Sequence, residues 1–246
     1  MSAIVRALQL LGTFSPEQPT LTLTDLARRS GLPLTTTHRI VGDLLAWGAL
    51  ERDREGRYRI GLRLWETASL APRGLGLREA ALPFLEDLSQ VTQENVQLAV
   101  REDLEVVYVE RIAGRTAVPV FTRVGGRFPM PPTGVGLVLL AHSPADVQEE
   151  VLSSPLQRFT ERTIVSARQL RQVLAEIRRT GVALSDRQVQ MDAVSVAAPV
   201  YGAGDAVVAA VSVVVRAGEA KPSALVPVVR AAARGISRAL GMPVRP

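Results

Sequence analysis

Hydrophobic positions recur at helical spacing from the start of the chain. Ile4, Ala7, Leu8 and Leu11 share one face of IVRALQLLGTF, and Pro16 and Pro19 end the pattern. Thr22 and Asp25 then stand at the spacing of a capping box, with Asp in place of Glu, just ahead of Leu26 and Ala27. Gly31 is the residue type that commonly closes a helix in the left-handed conformation. After the turn GLP, the segment LTTTHRIVGDLLAWG sets Ile40, Val41, Leu44 and Leu45 on one face and stops at Gly48. Two short helices joined by a Gly-containing turn predict a helix-turn-helix. ALERDREGRYRIG follows as two short strands, with Leu50, Tyr58 and Ile60 apolar and the tip at 53–56. A basic hairpin in that place is a wing.

LRLWETASLA predicts a further helix, and APRGLG, with Pro72, Gly74 and Gly76, is the best linker in the chain. The expected division is a winged helix-turn-helix at 1–61, a linker helix and linker at 62–77, and a second domain at 78–246. In that second domain REAALPFLEDLSQVTQ is amphipathic, with Leu82, Leu85 and Leu88 as its stripe. NVQLAVR, EVVYVERI and AVPVFTRV alternate with period two and predict strands, and RFPMPPTG reads as an irregular loop. GVGLVLLAH is a short buried helix. Ser143 and Pro144 open another helix, with Pro at its first position. Ser166 and Gln169 cap a third, which Gly181 ends. VSVAAPV and AVVAAVSVVV are apolar strands joined through YGAGD, and PSALVPVVRAAARGISRALG is a terminal helix. The order α-βββ-ααα-ββ-α predicts an α+β fold with a largely antiparallel sheet.

Composition narrows the chemistry. The 246 residues contain no cysteine, which excludes disulfides, thiolate nucleophiles and cysteine metal sites. Two histidines, His38 and His142, are too few for a histidine metal cluster. No apolar run approaches the roughly 20 residues of a membrane span, and the N-terminus lacks a signal-peptide pattern, so a cytoplasmic protein is expected. The net charge of +5 is uneven: residues 1–78 hold 11 Arg against 7 Asp and Glu, residues 79–246 hold 18 Lys and Arg against 17. The excess lies where a polyanion, duplex DNA, is the expected partner.

Candidate contacts follow. The second helix of the motif opens with Thr35, Thr36, Thr37, His38 and Arg39, whose hydroxyls, imidazole and guanidinium suit base edges and phosphates. Arg52, Arg54, Arg57 and Arg59 stud the wing, and Asp53 and Glu55 dilute their field, so only some are expected to touch DNA. No catalytic residue, metal site or cofactor is expected. The TGVG and GAG glycines lack a Walker lysine or a dinucleotide fingerprint, and Ser195 and Ser212 have no histidine near in sequence.

At this point the sequence resembles the IclR family of transcription regulators over nearly its whole length. RALQLLGTF, LTLTDLARRSGLPLTTTHRIVGDLLAWGALERDREGRYRIGLRLWE, RVGGRFPMPPTGVG, RRTGVALSD and VAAPVYGAGDAVVAAVSV carry the resemblance. It implies a winged helix-turn-helix, a linker helix and a GAF-like effector domain, assembled as a homodimer or a dimer of dimers. His38 and Arg39 match the family's HR, Thr35 and Thr36 its Ser-Thr, and Leu34 stands where lysine is common. An operator and a small organic acid are the implied partners. The effector positions map to Gly134 and Val135, to Ser185 or Asp186, to Ser195, and to Ser212 with Val214. Relatives that bind oxo-acids often carry Asp, Cys and Ser where Ser185, Ser195 and Val214 stand. Arg187 is therefore expected to offer itself to a ligand carboxylate. Two alternatives stay open: a constitutive regulator whose second domain serves assembly only, and a metabolite sensor that uses the winged helix for protein contacts.

Overall fold

The structure, a computed structural model, describes residues 1–71, 75–115, 117–219 and 221–241. The chain divides into two units, Met1–Leu75 and Gly76–Pro246. Of the linker glycines and proline, Pro72 and Gly74 lie outside the described residues, and Gly76 falls inside a helix.

In the first unit α1 (Ala3–Leu11), α2 (Leu23–Ser30) and α3 (Leu34–Trp47) precede β1 (Leu50–Arg52), β2 (Tyr58–Ile60) and α4 (Leu62–Ala68). Thr22 and Asp25 form the reciprocal cap of α2, the Asp25 amide donating to Thr22 Oγ1 at 3.2 Å. Gly31 and Gly48 end α2 and α3 at φ 68° and 86°, conformations that cost glycine no Cβ clash. Leu10, Leu26, Ile40, Val41, Leu50 and Tyr58 make the core. Each such burial contributes about 1.5–3 kcal/mol. β1 and β2 pair antiparallel, and Leu21 exchanges two backbone hydrogen bonds with Tyr58, which ties the wing to the segment before α2.

The second unit runs α5 (Leu75–Thr92), β3 (Asn95–Glu102), β4 (Glu105–Ile112), β5 (Arg127–Pro129), α6 (Gly134–Ala141), α7 (Ala145–Ser153), α8 (Ala167–Thr180), β6 (Ala183–Asp186), β7 (Ala193–Tyr201), β8 (Val207–Arg216) and α9 (Pro222–Ala239). The strands form one antiparallel sheet in the order β5-β4-β3-β8-β7-β6. One face buries Val96, Leu98, Val196, Val211 and Val213 under α5 and α9. The other packs Ala99, Ala183, Ala197 and Ala210 against α6 and α8. These small residues let α6, buried along its whole length, lie on the sheet.

Several expectations change. The strand expected in AVPVFTRV is a strap without ladder pairing. Pro119 has no N–H to give, and the carbonyls of Val118, Pro119 and Thr122 are taken by side chains instead. The third strand is β5, inside the stretch read as loop. β6 was not expected, because four residues are too few to display a period. Pro144 caps α7 from outside and does not occupy its first position. The apolar stripe of α5 is Ala81, Leu85 and Leu88, with Leu82 only half-buried.

Candidate nucleic-acid interface and ligand pocket

Helical phase divides the threonine run of α3. Thr37 shares the buried face with Ile40 and Val41, and its hydroxyl donates to the Pro33 carbonyl at 3.1 Å. The expectation that Thr37 meets DNA is therefore wrong. Thr35, His38 and Arg39 are exposed, Thr36 is half-buried, and the stripe continues over Gly42 and Asp43. Arg39 pairs loosely with Asp43 at 3.8 Å, one helical turn on. Pro33 occupies the cap position and offers no side-chain acceptor, so the first amides of α3 are open to an anion.

The wing spends most of its charge on itself. Arg59 donates twice to Glu51, at 3.0 and 2.8 Å, and Arg57 binds both Asp53 and Glu55. The amide of Leu62, then Arg59, holds the Glu51 carboxyl below its ordinary range, and the amide of Arg57 does the same for Asp53. Arg52 lies over the Tyr58 ring at 5.6 Å and reaches the Gly56 carbonyl. Arg54, at the tip, is the wing arginine without a partner among the described residues.

In the second unit the sheet face under α6 opens into a pocket of about 480 Å³, its mouth included. Gly134, Val135, Ser185 and Ser195 line it. The N-terminus of α6 faces Ser195 so closely that a Cβ on Gly134 would stand 2.6 Å from Ser195 Oγ. A side chain there would turn the Ser195 hydroxyl away and crowd the Cβ atoms of Ser195 and Ala197 at 3.2 and 3.3 Å. Thr133 caps α6, taking the Gly136 amide on its hydroxyl and the Leu137 amide on its carbonyl. That leaves the amides of Gly134 and Val135 without acceptors among the described residues, beside a Ser195 hydroxyl that also lacks a partner. Three donors thus converge at a helix N-terminus, an arrangement that suits a carboxylate. Burial pushes the Tyr108 phenol above its ordinary range, partly offset by its hydrogen bond to Thr133, so this wall is neutral.

Ser185 is on the wall, but its hydrogen is already given to the Pro132 carbonyl at 2.7 Å. It can accept from a ligand and cannot donate to one. Asp186 and Ser212 do not line the pocket. Asp186 is bound by Arg187 at 2.8 and 3.1 Å, and that bond lowers its carboxyl below the usual range. Arg187 is thereby committed to its own neighbour and not to a ligand acid. Ser212 lies wholly beneath the surface, its hydroxyl 3.5 Å from Gln97 Oε1.

Sequence reasoning missed Gln97, Tyr108, Thr122 and Phe128, which also line the pocket. Gln97 had a signal: Asn95 and Gln97 are polar at alternate positions in the buried first half of β3, beside Val96, Leu98, Ala99 and Val100. Both feed a buried network. Asn95 Nδ2 donates to the Val118 carbonyl at 2.7 Å, Gln97 Nε2 to Thr122 Oγ1 at 2.5 Å, and Arg111 to the Thr122 carbonyl and Asn95 Oδ1 at 3.3 and 3.0 Å. The strap is thus pinned to the sheet as one side of the pocket. Among the described residues no three His, Cys, Asp or Glu gather as metal ligands, and no helix is long and apolar enough to cross a membrane.

Residues 71–238 match the family described as bacterial transcriptional regulator IclR C-terminal, and residues 3–54 match the IclR helix-turn-helix domain. The chain is 30% identical to the HTH-type transcriptional regulator XynR of Escherichia coli over 99% of its length and 98% of that protein's. It is also 30% identical to the regulator KipR of Bacillus subtilis, over 97% and 96%. Among solved structures, an IclR homolog from Microbacterium hydrocarbonoxydans, complexed with 4-hydroxybenzoate, superposes with a TM-score of 0.92 at 38% identity, covering 97% of this chain and 99% of that one.

Proposed function

The chain belongs to the IclR family of bacterial transcriptional regulators, and from that premise we propose that its first unit grips operator DNA while the pocket of its second unit holds a small organic acid that sets the strength of that grip. Thr35, His38 and Arg39 are the residues of α3 that enter the major groove, with Thr36 at the edge. Arg54 is the first wing contact. Arg52, Arg57 and Arg59 join only when phosphate replaces their present partners. Ile4 and Leu8 of α1 and Leu62 and Trp65 of α4, each more than 60% exposed, are apolar surface for a second copy of the chain. Such a homodimer reads two half-sites about 34 Å apart.

The observation that carries the receptor half is the convergence of the Gly134 and Val135 amides and the Ser195 hydroxyl, three donors awaiting an acceptor. The 4-hydroxybenzoate bound by the Microbacterium hydrocarbonoxydans homolog is an acid of the kind these donors suit. We read the pocket as a receptor and not an active site. Ser195 has no base beside it, His142 is held by the Val138 carbonyl at the end of α6, and His38 lies on α3. A coupling of about 1–3 kcal/mol between the sites changes operator affinity roughly 5- to 150-fold.

Two measurements test the reading. Gel shifts on duplexes selected from genomic fragments are expected to show Arg39→Ala binding at least about ten-fold more weakly. Unchanged affinity would remove α3 from the interface. In thermal unfolding, 4-hydroxybenzoate is expected to raise the Tm of the parent protein and leave Ser195→Leu unmoved. An equal rise in both would place the acid elsewhere.

A further inference from the structure

The donors at the α6 end account for one end of a ligand. The opposite wall of the pocket carries Gln97 and Thr122, and behind them stands a charge with no counter-charge. Arg111 pairs with Gln97 in the β3–β4 register, so both project from the pocket face of the sheet. Its two terminal nitrogens are given to neutral oxygens, the Thr122 carbonyl and Asn95 Oδ1. Its Nε is buried with no partner, and no carboxylate pairs with it among the described residues. A half-buried guanidinium left without an anion is costly unless a ligand repays it.

The hydrogens on the Gln97–Thr122 pair are directional. Gln97 Nε2 donates into Thr122 Oγ1, which leaves the Thr122 hydrogen and the second Nε2 hydrogen free to donate. Arg111, bound to the Thr122 carbonyl, places positive potential beside both. This wall therefore calls for an oxygen bearing lone pairs or partial negative charge. Gln97 and Ser195 lie two strands and two residues apart, roughly 12 Å between backbones. One aromatic ring with oxygens at opposite ends, plus a hydrogen bond at each, spans a distance of that order. Val214, on the strand between Gln97 and Ser195, and Tyr108 and Phe128, on the strands beyond Gln97, supply apolar walls.

We propose that Gln97 and Thr122, biased by Arg111, form a second anchor that reads a ring oxygen remote from the carboxylate, so that the pocket selects hydroxy-substituted aromatic acids over simple ones. This rests on the reading of the α6 end as the carboxylate site.

Calorimetric titration of the full chain with benzoate and with 4-hydroxybenzoate tests it. The parent protein is expected to bind 4-hydroxybenzoate about ten-fold or more tightly than benzoate, the worth of one buried hydrogen bond beside a charge. Gln97→Leu and Thr122→Val should each bring the ratio to within about two-fold, because 4-hydroxybenzoate loses far more affinity than benzoate. Thr122→Val, on the strap, serves if Gln97→Leu folds poorly. Arg111→Gln should weaken 4-hydroxybenzoate more than benzoate and so lower the ratio; a purely structural role in holding the strap would weaken both acids alike and keep it. Ser195→Ala should weaken both acids and keep the ratio. Equal binding of the two acids by the parent, with benzoate still lost in Ser195→Ala, overturns the second anchor alone. Binding of neither acid overturns the anchor together with the carboxylate reading.

Discussion

Strands β3, β7 and β8 present two different surfaces from one set of residues. Towards α5 and α9 they offer Val96, Leu98, Val196, Val211 and Val213, an unbroken apolar layer. Towards α6, the positions between are Asn95, Gln97, Ala99, Ser195, Ala197, Ala210 and Ser212. The first face buries large side chains and makes the cohesion of the unit. The second uses small residues to admit α6 and polar ones to leave a recess. Its hydrogen bonds are made to the strap and the α6 turn, with the Ser195 hydroxyl and one Gln97 hydrogen left over. Binding capacity thus sits on the face that gives up burial, and stability is held by the opposite face.

The sharpest way to break that contrast is Leu98→Ala. On the apolar face it should cost about 2–5 kcal/mol in urea unfolding, with acid affinity little changed. A cost below about 1 kcal/mol would mean the layer is not the cohesive one. Gly134→Ala tests the other face. Its Cβ meets Ser195 Oγ, so 4-hydroxybenzoate binding should fall on the order of 100-fold, about 2.7 kcal/mol, with a smaller shift in the urea midpoint. The serine pair divides the contrast within one face. Ser195→Ala should cost about ten-fold in acid binding and little stability. Ser185→Ala should cost roughly 1–3 kcal/mol of stability, because the Pro132 carbonyl loses its donor, and little binding. Parallel behaviour of the two would undo the distinction between spent and unspent hydroxyls. The smallest effect lies at the sheet edge. Arg187 depresses the Asp186 carboxyl, so the pair's contribution is present above the ordinary value of 3.8 and fades as pH falls through the lowered one. Asp186→Asn should flatten the acid limb of stability slightly, read as urea midpoints at pH 7 and pH 3, since the pair is well exposed.

Those serines also mark the limit of what the residues alone disclose. Ser185 and Ser195 are the same residue type, directly paired across β6 and β7, and both line the pocket. Which one has a hydrogen to give depends on where the Pro132 carbonyl falls, 53 residues away in sequence. The first unit was far more legible, because its caps and periods are local: Thr22 with Asp25, Gly31, Gly48. The error at Thr37 was one of phase, since Ile40 and Val41 already placed it on the buried face. The strap was misread because alternation of apolar residues is a mark of one-sided burial. Val118 is buried and Phe121 exposed, without a ladder to either side. Polar Asn95 and Gln97 among the buried apolar residues of β3 were the visible trace of the pocket's far wall.

The wing's internal pairing bears on the ionic behaviour of the whole molecule. Arg57 and Arg59 carry fixed anions from the same hairpin in place of mobile ones. If DNA phosphate displaces Asp53 or Glu51, one tethered anion is exchanged for another, and the freed carboxylate collects a cation from solution. That uptake opposes the counterion release that drives binding elsewhere. Operator affinity should then decline less steeply with salt than four wing arginines suggest. The hairpin acts as a buffer of the interface's charge, favouring a fitted backbone over any polyanion that happens to pass.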